Sequence, residues 1–358
     1  MMVVGIDPHK NTHTAVAVSG VTGAKVAEIT VRARQRGHER LLGWARGLGE
    51  ELVFAVEDCR HVSGGLQRFL LARGEPMVQV PPKLMAGARR GARTRGKSDP
   101  IDALAVAQAA LRHPELPAAH LSGAERDVRL LVDHREDLVA ERTRIQNRLR
   151  WNLHDLDPDF TVPPRGLDRF VWLERTRAHL RGLEPCPQVR IASEQVDAIE
   201  MLTRSINAME GEITTLVRLL APELLEIVGC GPLTAAKLFG EAGGARRFRS
   251  EAAFAMHAGA SPLEVASGDR QRHRLNRSGN RQLNAALHRI AVTQKRIHPD
   301  AQAFLERKRS EGLGNREALR CLKRYLARSV YKTLLAIELR KDAQMTLTTM
   351  GPALEASA

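Results

Sequence analysis

Five short apolar runs, rich in valine and closed by turn-forming or charged residues, are spread across the first eighty-one positions: Val3–Asp7, Thr12–Val18, Lys25–Val31, Leu52–Val56 and Met77–Pro81. Runs of this length bounded by such residues read as buried strands. Helical patterns lie between and after them, at about Gly37–Leu48, at Ser63–Arg73, and from Asp99 or Pro100 to about Arg112. Three strands, then helix, strand, helix, strand and helix, predict a mixed sheet covered by helices.

Carboxylates punctuate this pattern. Asp7 ends the first run, Glu57 directly follows the fourth, and Asp99 and Asp102 begin the last helix. Strand ends and helix starts are exposed at one edge of such a sheet, so the four can converge there; Asp99 and Asp102, three apart, share a helix face. Hard carboxylate oxygens suit Mg²⁺, and two ions about 4 Å apart can clamp both oxygens of a phosphoryl transfer. Each acid also has a plainer reading. Asp99 with Pro100 is a good helix start, Asp7-Pro8 can open a turn, and Glu57-Asp58 can be a solvated loop. Order and placement taken together favour a metal site.

With 358 residues, two or three domains are expected. Ser122 and Glu125 form a capping box ahead of a long helix to about Leu156. A proline-interrupted stretch follows, around Pro158–Pro187. The next helix carries Ile199, Leu202, Ile206, Met209, Ile213, Leu216 and Leu220 in steps of three and four. That stripe fits a coiled-coil seam between subunits or, equally, an antiparallel pairing with the Ser122 helix. From Leu224 a compact helical region begins, its last helix running roughly Asn315–Arg340, with a disordered tail after Met345.

Charge narrows the partners. Lys and Arg total 55 against 41 Asp and Glu, a net +14. Gly268–Lys341 alone holds 19 basic and 6 acidic residues, a net +13, so the excess is a localised footprint for a polyanion. A second basic segment, residues 86–97, contains Arg89, Arg90, Arg93, Arg95 and Lys97 and no acid. No apolar run is long enough to span a bilayer and the first residues lack signal-peptide character, so a cytoplasmic protein with no membrane contact is expected. Cys59, Cys186, Cys230 and Cys321 are scattered and form no C-x-x-C pair, which reads as reduced, mostly buried thiols.

The segments GIDPHK, AVEDCR and GKSDPIDA resemble the three acidic blocks of the DEDD insertion-sequence transposases, the bridge-RNA-guided recombinases. Asp58-Cys59-Arg60 departs from that pattern, where a small residue and a glycine are expected. The resemblance implies an α/β RNase H-like (RuvC-like) N-terminal domain over 1–115, a helical coiled-coil oligomerisation region over 116–222, and a mostly α-helical C-terminal transposase domain over 223–345. It implies Asp7, Glu57, Asp99 and Asp102 as ligands of Mg²⁺ or Mn²⁺. The block Pro262-x-x-x-x-Ser267-Gly268 resembles the one carrying the family's serine nucleophile, which forms a 5′-phosphoserine link to DNA; the Gly279-Asn280 block resembles the segment that follows it. A guide RNA and a tetramer built from dimers, with sites shared between subunits, are implied as well. The Ile199–Leu220 stripe is the expected subunit contact.

Residues alone say less about this half. Gly229-x-Gly231 resembles a helix-hairpin-helix turn, where glycines let backbone approach a phosphate at a helix N-terminus; a plain tight turn fits nearly as well. Ser267-Gly268 is also a common turn dipeptide, and it lies in expected polar loops with Arg270, Arg272, Arg274, Arg277 and Arg281. A serine hydroxyl needs activation, and nothing near Ser267 is an obvious base, with His273 an unsupported candidate. Tyr325 and Tyr331 read as packing residues on a basic helix. Two other functions compete with a recombinase: a nuclease or junction resolvase that uses water, and a non-catalytic nucleic-acid-binding protein.

Overall fold

The computed structural model describes residues 1–57, 60–81, 84–85, 98–120, 123–267, 270–274, 276 and 279–355. All five expected strands are present: β1 (Met2–Pro8), β2 (Thr12–Ser19), β3 (Lys25–Arg32), β4 (Leu52–Glu57) and β5 (Met77–Val80). They form one sheet in the order β3-β2-β1-β4-β5. β2 runs antiparallel to β1 and β3, whereas β4 pairs in parallel with β1 on one side and β5 on the other. This is the RNase H-like (RuvC-like) arrangement. Alternation along β1 divides its side chains between two cores. Val4 and Ile6 pack with Leu41, Leu42, Leu66 and Leu70, from α1 (Gln35–Arg46) and α2 (Arg60–Leu71). Val3 packs on the other face against Ala103, Val106 and Ala107 of α3 (Asp99–Arg112).

Gly5 explains how closely α3 sits. A Cβ at that position would lie 2.2 Å from the Ala103 carbonyl oxygen and 2.4 Å from the Ala107 nitrogen. Only a bare α-carbon lets the helix backbone rest directly on β1, and the first turn of α3 is thereby brought to the end of that strand.

Two 34-residue helices, α4 (Gly123–Leu156) and α6 (Pro187–Leu220), leave the sheet region as an antiparallel pair. Each is about 51 Å long at the α-helical rise. Opposed contacts fix the pairing: Arg135 with Glu210, Arg142 with Thr203 (3.1 Å), Asn152 with Gln195 (2.9 Å) and Asp155 with Gln188 (2.7 Å). At the distal end, α5 (Phe170–Arg181) closes over Leu149, Leu153, Val196 and Ile199. At the base, Val128, Val132, Ile213 and Val217 enter the C-terminal core. Ile199, Leu202, Ile206 and Ile213 are buried within this chain, and Met209, Leu216 and Leu220 are half-buried against the same core. The stripe is therefore spent on intramolecular packing, which corrects its placement as a subunit seam. Ser122, the expected cap of α4, lies outside the described residues.

The C-terminal body comprises α7 (Pro232–Ala242), α8 (Glu251–His257), α9 (Arg281–Ile297), α10 (Pro299–Ser310) and α11 (Asn315–Glu355). Two expectations change here. Residues 263–274, read as polar loop, contain a two-stranded ribbon, β6 (Leu263–Ser267) with β7 (Arg270–Arg274). The last helix runs through the segment expected to be a disordered tail, as far as Glu355. Among the described cysteines Cys230 is buried, Cys321 half-buried and Cys186 exposed at the N-cap of α6. No helix among the described residues is long and apolar enough to cross a membrane.

Candidate metal centre and nucleic-acid interface

Asp7 lies one residue beyond the Ile6–Val56 pair of β1 and β4, and Glu57 occupies the same position on β4. Asp99 and Asp102 fall in the first turn of α3, where the helix N-terminus favours carboxylates. Ser98, not Asp99 as expected from sequence, is the N-cap, and its side chain makes no capping hydrogen bond. The Asp99 carboxylate instead meets an imidazole: His9 Nε2 is 3.1 Å from Asp7 Oδ2 and 3.4 Å from Asp99 Oδ1. Asp7, His9 and Asp99 present ligand atoms that all lie within 4.8 Å of one another. Glu57 shares the sheet edge through its backbone register but does not belong to that tight group.

Burial corrects one sequence inference. Asp7 and Asp102 were expected to be exposed at the sheet edge, yet they are 5% and 6% accessible, because α3 packs against β1 and β2. Burial pushes the Asp7 carboxyl above its ordinary range; Asp102 and Asp99 push it further, while His9 opposes the rise. An anion costly to hold in this place is stabilised by a nearby cation. Hard oxygens at a sheet edge, with one imidazole, fit a divalent ion.

The C-terminal candidates sit on different elements. Ser267 ends β6 and pairs with Arg270 across the ribbon. Arg272 pairs with Val265, and Arg274 with Leu263, so Ser267 and these three arginines occupy positions of one face of the ribbon. His273 pairs with Glu264, on the alternate set of positions. Arg277, Gly268 and the segment with Arg89, Arg90, Arg93, Arg95 and Lys97 lie outside the described residues. Arg281 is exposed at the start of α9. Asn280 caps that helix, accepting from the Gln282 and Leu283 amides (2.8 and 3.0 Å), and donates to Glu241 Oε2 at 2.7 Å.

Gly229 adopts φ +84°, a left-handed conformation suited to glycine, and packs on Thr293 of α9. Gly231 is the exposed N-cap of α7. The segment before this turn is a short 3-10 helix, Pro222–Glu226. Gln294 of α9 holds the turn by donating to the Val228 carbonyl at 2.9 Å. Tyr325 is 55% exposed, in contrast to its expected packing role, and stands edge-on to Phe304. It borders a cavity of about 440 Å³ between α9, α10 and α11, with His298, Arg328 and Lys332 at the lining. Tyr331 is half-buried and rests on Phe254.

Sequence reasoning missed His9. Its signal was present, because residues two apart at a strand end point to one side, and Asp7-x-His9 has that spacing.

Comparison with known proteins finds similarity to insertion-sequence transposases. A transposase family profile of the DEDD, IS110 type matches residues 4–158. A second, described as transposase of the IS116/IS110/IS902 family, matches residues 221–306. A 44.8 kDa protein of insertion element IS116 from Streptomyces clavuligerus is 29% identical, over 90% of this chain and 91% of its own length. A 42 kDa protein of insertion element IS900 from Mycobacterium paratuberculosis is 24% identical, over 77% and 81%. Among solved structures, Thermus thermophilus RuvC aligns over 33% of this chain and all of its own, at 18% identity and a TM-score of 0.27. The same protein with a Holliday junction substrate aligns over 32% and 94%, at 17% identity and a TM-score of 0.26.

Proposed function

Because the chain belongs to the IS116/IS110/IS902 family of insertion-sequence transposases, we propose that it cuts and rejoins DNA through Ser267, with Mg²⁺ or Mn²⁺ held by Asp7, Glu57, Asp99 and Asp102. The observation that carries the reading is the meeting of Asp7 and Asp99 around His9 Nε2 at the edge of an RNase H-like sheet. When bound, the cation supplies Lewis acidity at a phosphate oxygen.

The remaining work falls to side chains. The Ser267 oxygen forms a bond to phosphorus as the bond from phosphorus to the 3′ oxygen breaks; the serine proton is lost and the departing oxygen gains one. A 5′-phosphoserine link results, and attack by a 3′ hydroxyl on that link reverses the chemistry to join strands. Arg270, Arg272 and Arg274, on the ribbon positions facing the same way as Ser267, offset negative charge as the phosphorus adds a fifth oxygen. Gly229 and Gly231 let backbone approach a DNA phosphate at the start of α7. A structured guide RNA is the second polyanion of this reading, supported by the two basic segments, with Arg89, Arg90, Arg93, Arg95, Lys97, Arg277 and Arg281 as contacts. A dimer of dimers brings Ser267 of one subunit to the acids of another. Its contact lies away from the Ile199–Leu220 stripe.

The test incubates the full-length protein with its own element ends, Mg²⁺ and co-purified RNA, followed by denaturing gels for covalent adducts. An adduct in the wild type and in Tyr325→Phe, absent from Ser267→Ala, is expected, together with loss of strand exchange but retained DNA binding in Asp7→Ala. Cleavage without an adduct would instead make water the nucleophile. Unaltered strand exchange in Asp7→Ala would leave the acids with no catalytic part.

A further inference from the structure

We propose that His9 is itself a ligand of the divalent cation, and that its nitrogen biases the centre toward Mn²⁺ over Mg²⁺. The inference deepens the metal reading above and rests on it.

Three observations converge. The first is distance. Neighbouring ligands of a six-coordinate ion with bonds of about 2.1 Å lie about 3.0 Å apart, and opposite ones about 4.2 Å. His9 Nε2 stands 3.1 Å from Asp7 Oδ2 and 3.4 Å from Asp99 Oδ1, and all three atoms fall within 4.8 Å of one another. One ion therefore reaches all three with little change in their separations. The second is position. Asp7 is held at the end of β1, His9 follows two residues later, and Asp99 arrives from α3, so three separate backbone points fix one small triangle. The third is exposure. The Asp7 side chain is 7% accessible, whereas those of His9 and Asp99 are 51% and 50% accessible. The buried carboxylate anchors one side, and the open side is left for water and a phosphate oxygen. A histidine retained for packing would be covered, and this one is half exposed.

The donor set decides the metal preference. Mg²⁺ favours oxygen ligands almost exclusively, while imidazole nitrogen suits transition ions. Two carboxylates with one imidazole form a mixed set that Mn²⁺ accepts more readily. The competing account gives His9 only hydrogen bonds to the two acids. In that account the imidazole occupies the place of the ion and must leave when metal enters.

Metal binding by the full-length protein separates the two accounts. Mn²⁺ and Mg²⁺ affinities are measured by calorimetry, and electron spin echo spectroscopy of bound Mn²⁺ detects a directly attached nitrogen. Wild type is expected to show that nitrogen coupling. His9→Ala should lose it and weaken Mn²⁺ by about 10-fold or more, with a Mg²⁺ change below about 3-fold. His9→Asp, which returns an oxygen donor, should bind Mn²⁺ without the coupling and with a smaller preference over Mg²⁺. A thermal melt of each variant confirms that it folds. Bound Mn²⁺ without nitrogen coupling in wild type, or equal or tighter Mn²⁺ binding in His9→Ala, overturns the His9 assignment and leaves the carboxylate site intact. Failure of the wild type to bind either ion overturns the carboxylate site, and the His9 assignment with it.

Discussion

His13 and His38 stack with ring centroids 5.4 Å apart on the α1 side of the sheet, and both are buried. His13 Nδ1 and His38 Nε2 have no hydrogen-bond partner there. Burial first, then the proximity of His38 and His9, pulls the His13 imidazole down to about 4. Its ordinary value is near 6.5, so the unfolded chain binds more protons than the folded one between those limits. Stability must then rise with pH through that window and fall as pH drops below 6.5, levelling off under 4. Urea midpoints should decline by an amount equivalent to about 2 kcal/mol between pH 7 and pH 5 from this residue, and His13→Gln should flatten that slope. An unchanged slope would mean that His13 takes up its proton in the folded state at an ordinary pH. None of this was readable in the sequence, where His13 is one polar letter at the start of an apolar run. Asp7, Asp99 and Asp102 were readable, because chain chemistry changes sharply where strands end and a helix begins. The burial of Asp7 and Asp102 was not, since it depends on a helix from residues 99–112 packing on a strand from residues 2–8.

The strands of the sheet were legible because each is a short valine-rich run with its own punctuation. The β6–β7 ribbon was obscured by its arginines, although their placement at every second position in β7 is itself a strand pattern. Periodicity likewise exposed the apolar face of α6 but could not name what covers it. The covering element is α4, and the base of that pair is locked by Lys237 of α7, 2% accessible, which donates to Glu136 of α4 (2.5 Å) and Gln282 of α9 (2.9 Å). Gly5 plays the corresponding part in the sheet, because α3 can rest on β1 only where a side chain is missing. Gly5→Ala should lower stability by about 1–3 kcal/mol, the usual cost of overpacking. It should also weaken divalent-cation binding, because lifting α3 carries Asp99 and Asp102 away from Asp7. Chemical denaturation and metal titration on the same variant check both. Lost stability with metal affinity unchanged would show that the acids do not depend on this close approach.

Across the whole molecule, the carboxylate edge lies in the first third, whereas Gly268–Lys341 carries net +13 of the total +14. That division was plain from composition, but composition names neither the strand bound nor the surface that binds it. The ribbon offers a specific candidate, because Arg270, Arg272 and Arg274 take alternate register positions of β7, opposite Ser267, Val265 and Leu263. If these arginines hold backbone phosphates, each contact releases condensed counterions, and the logarithm of duplex affinity falls with the logarithm of salt by about 0.9 per contact. Replacing all three by alanine should therefore reduce the magnitude of that slope by about 2.7. The loss should be similar on unrelated duplex sequences, since phosphates carry no sequence information. Binding isotherms from low to physiological salt, on a variant whose melting curve matches wild type, give the answer directly. An unaltered slope would place the phosphate contacts elsewhere in the basic half and leave Ser267 without the electrostatic support assigned to it; a reduction confined to the element's own ends would mean that the ribbon reads bases.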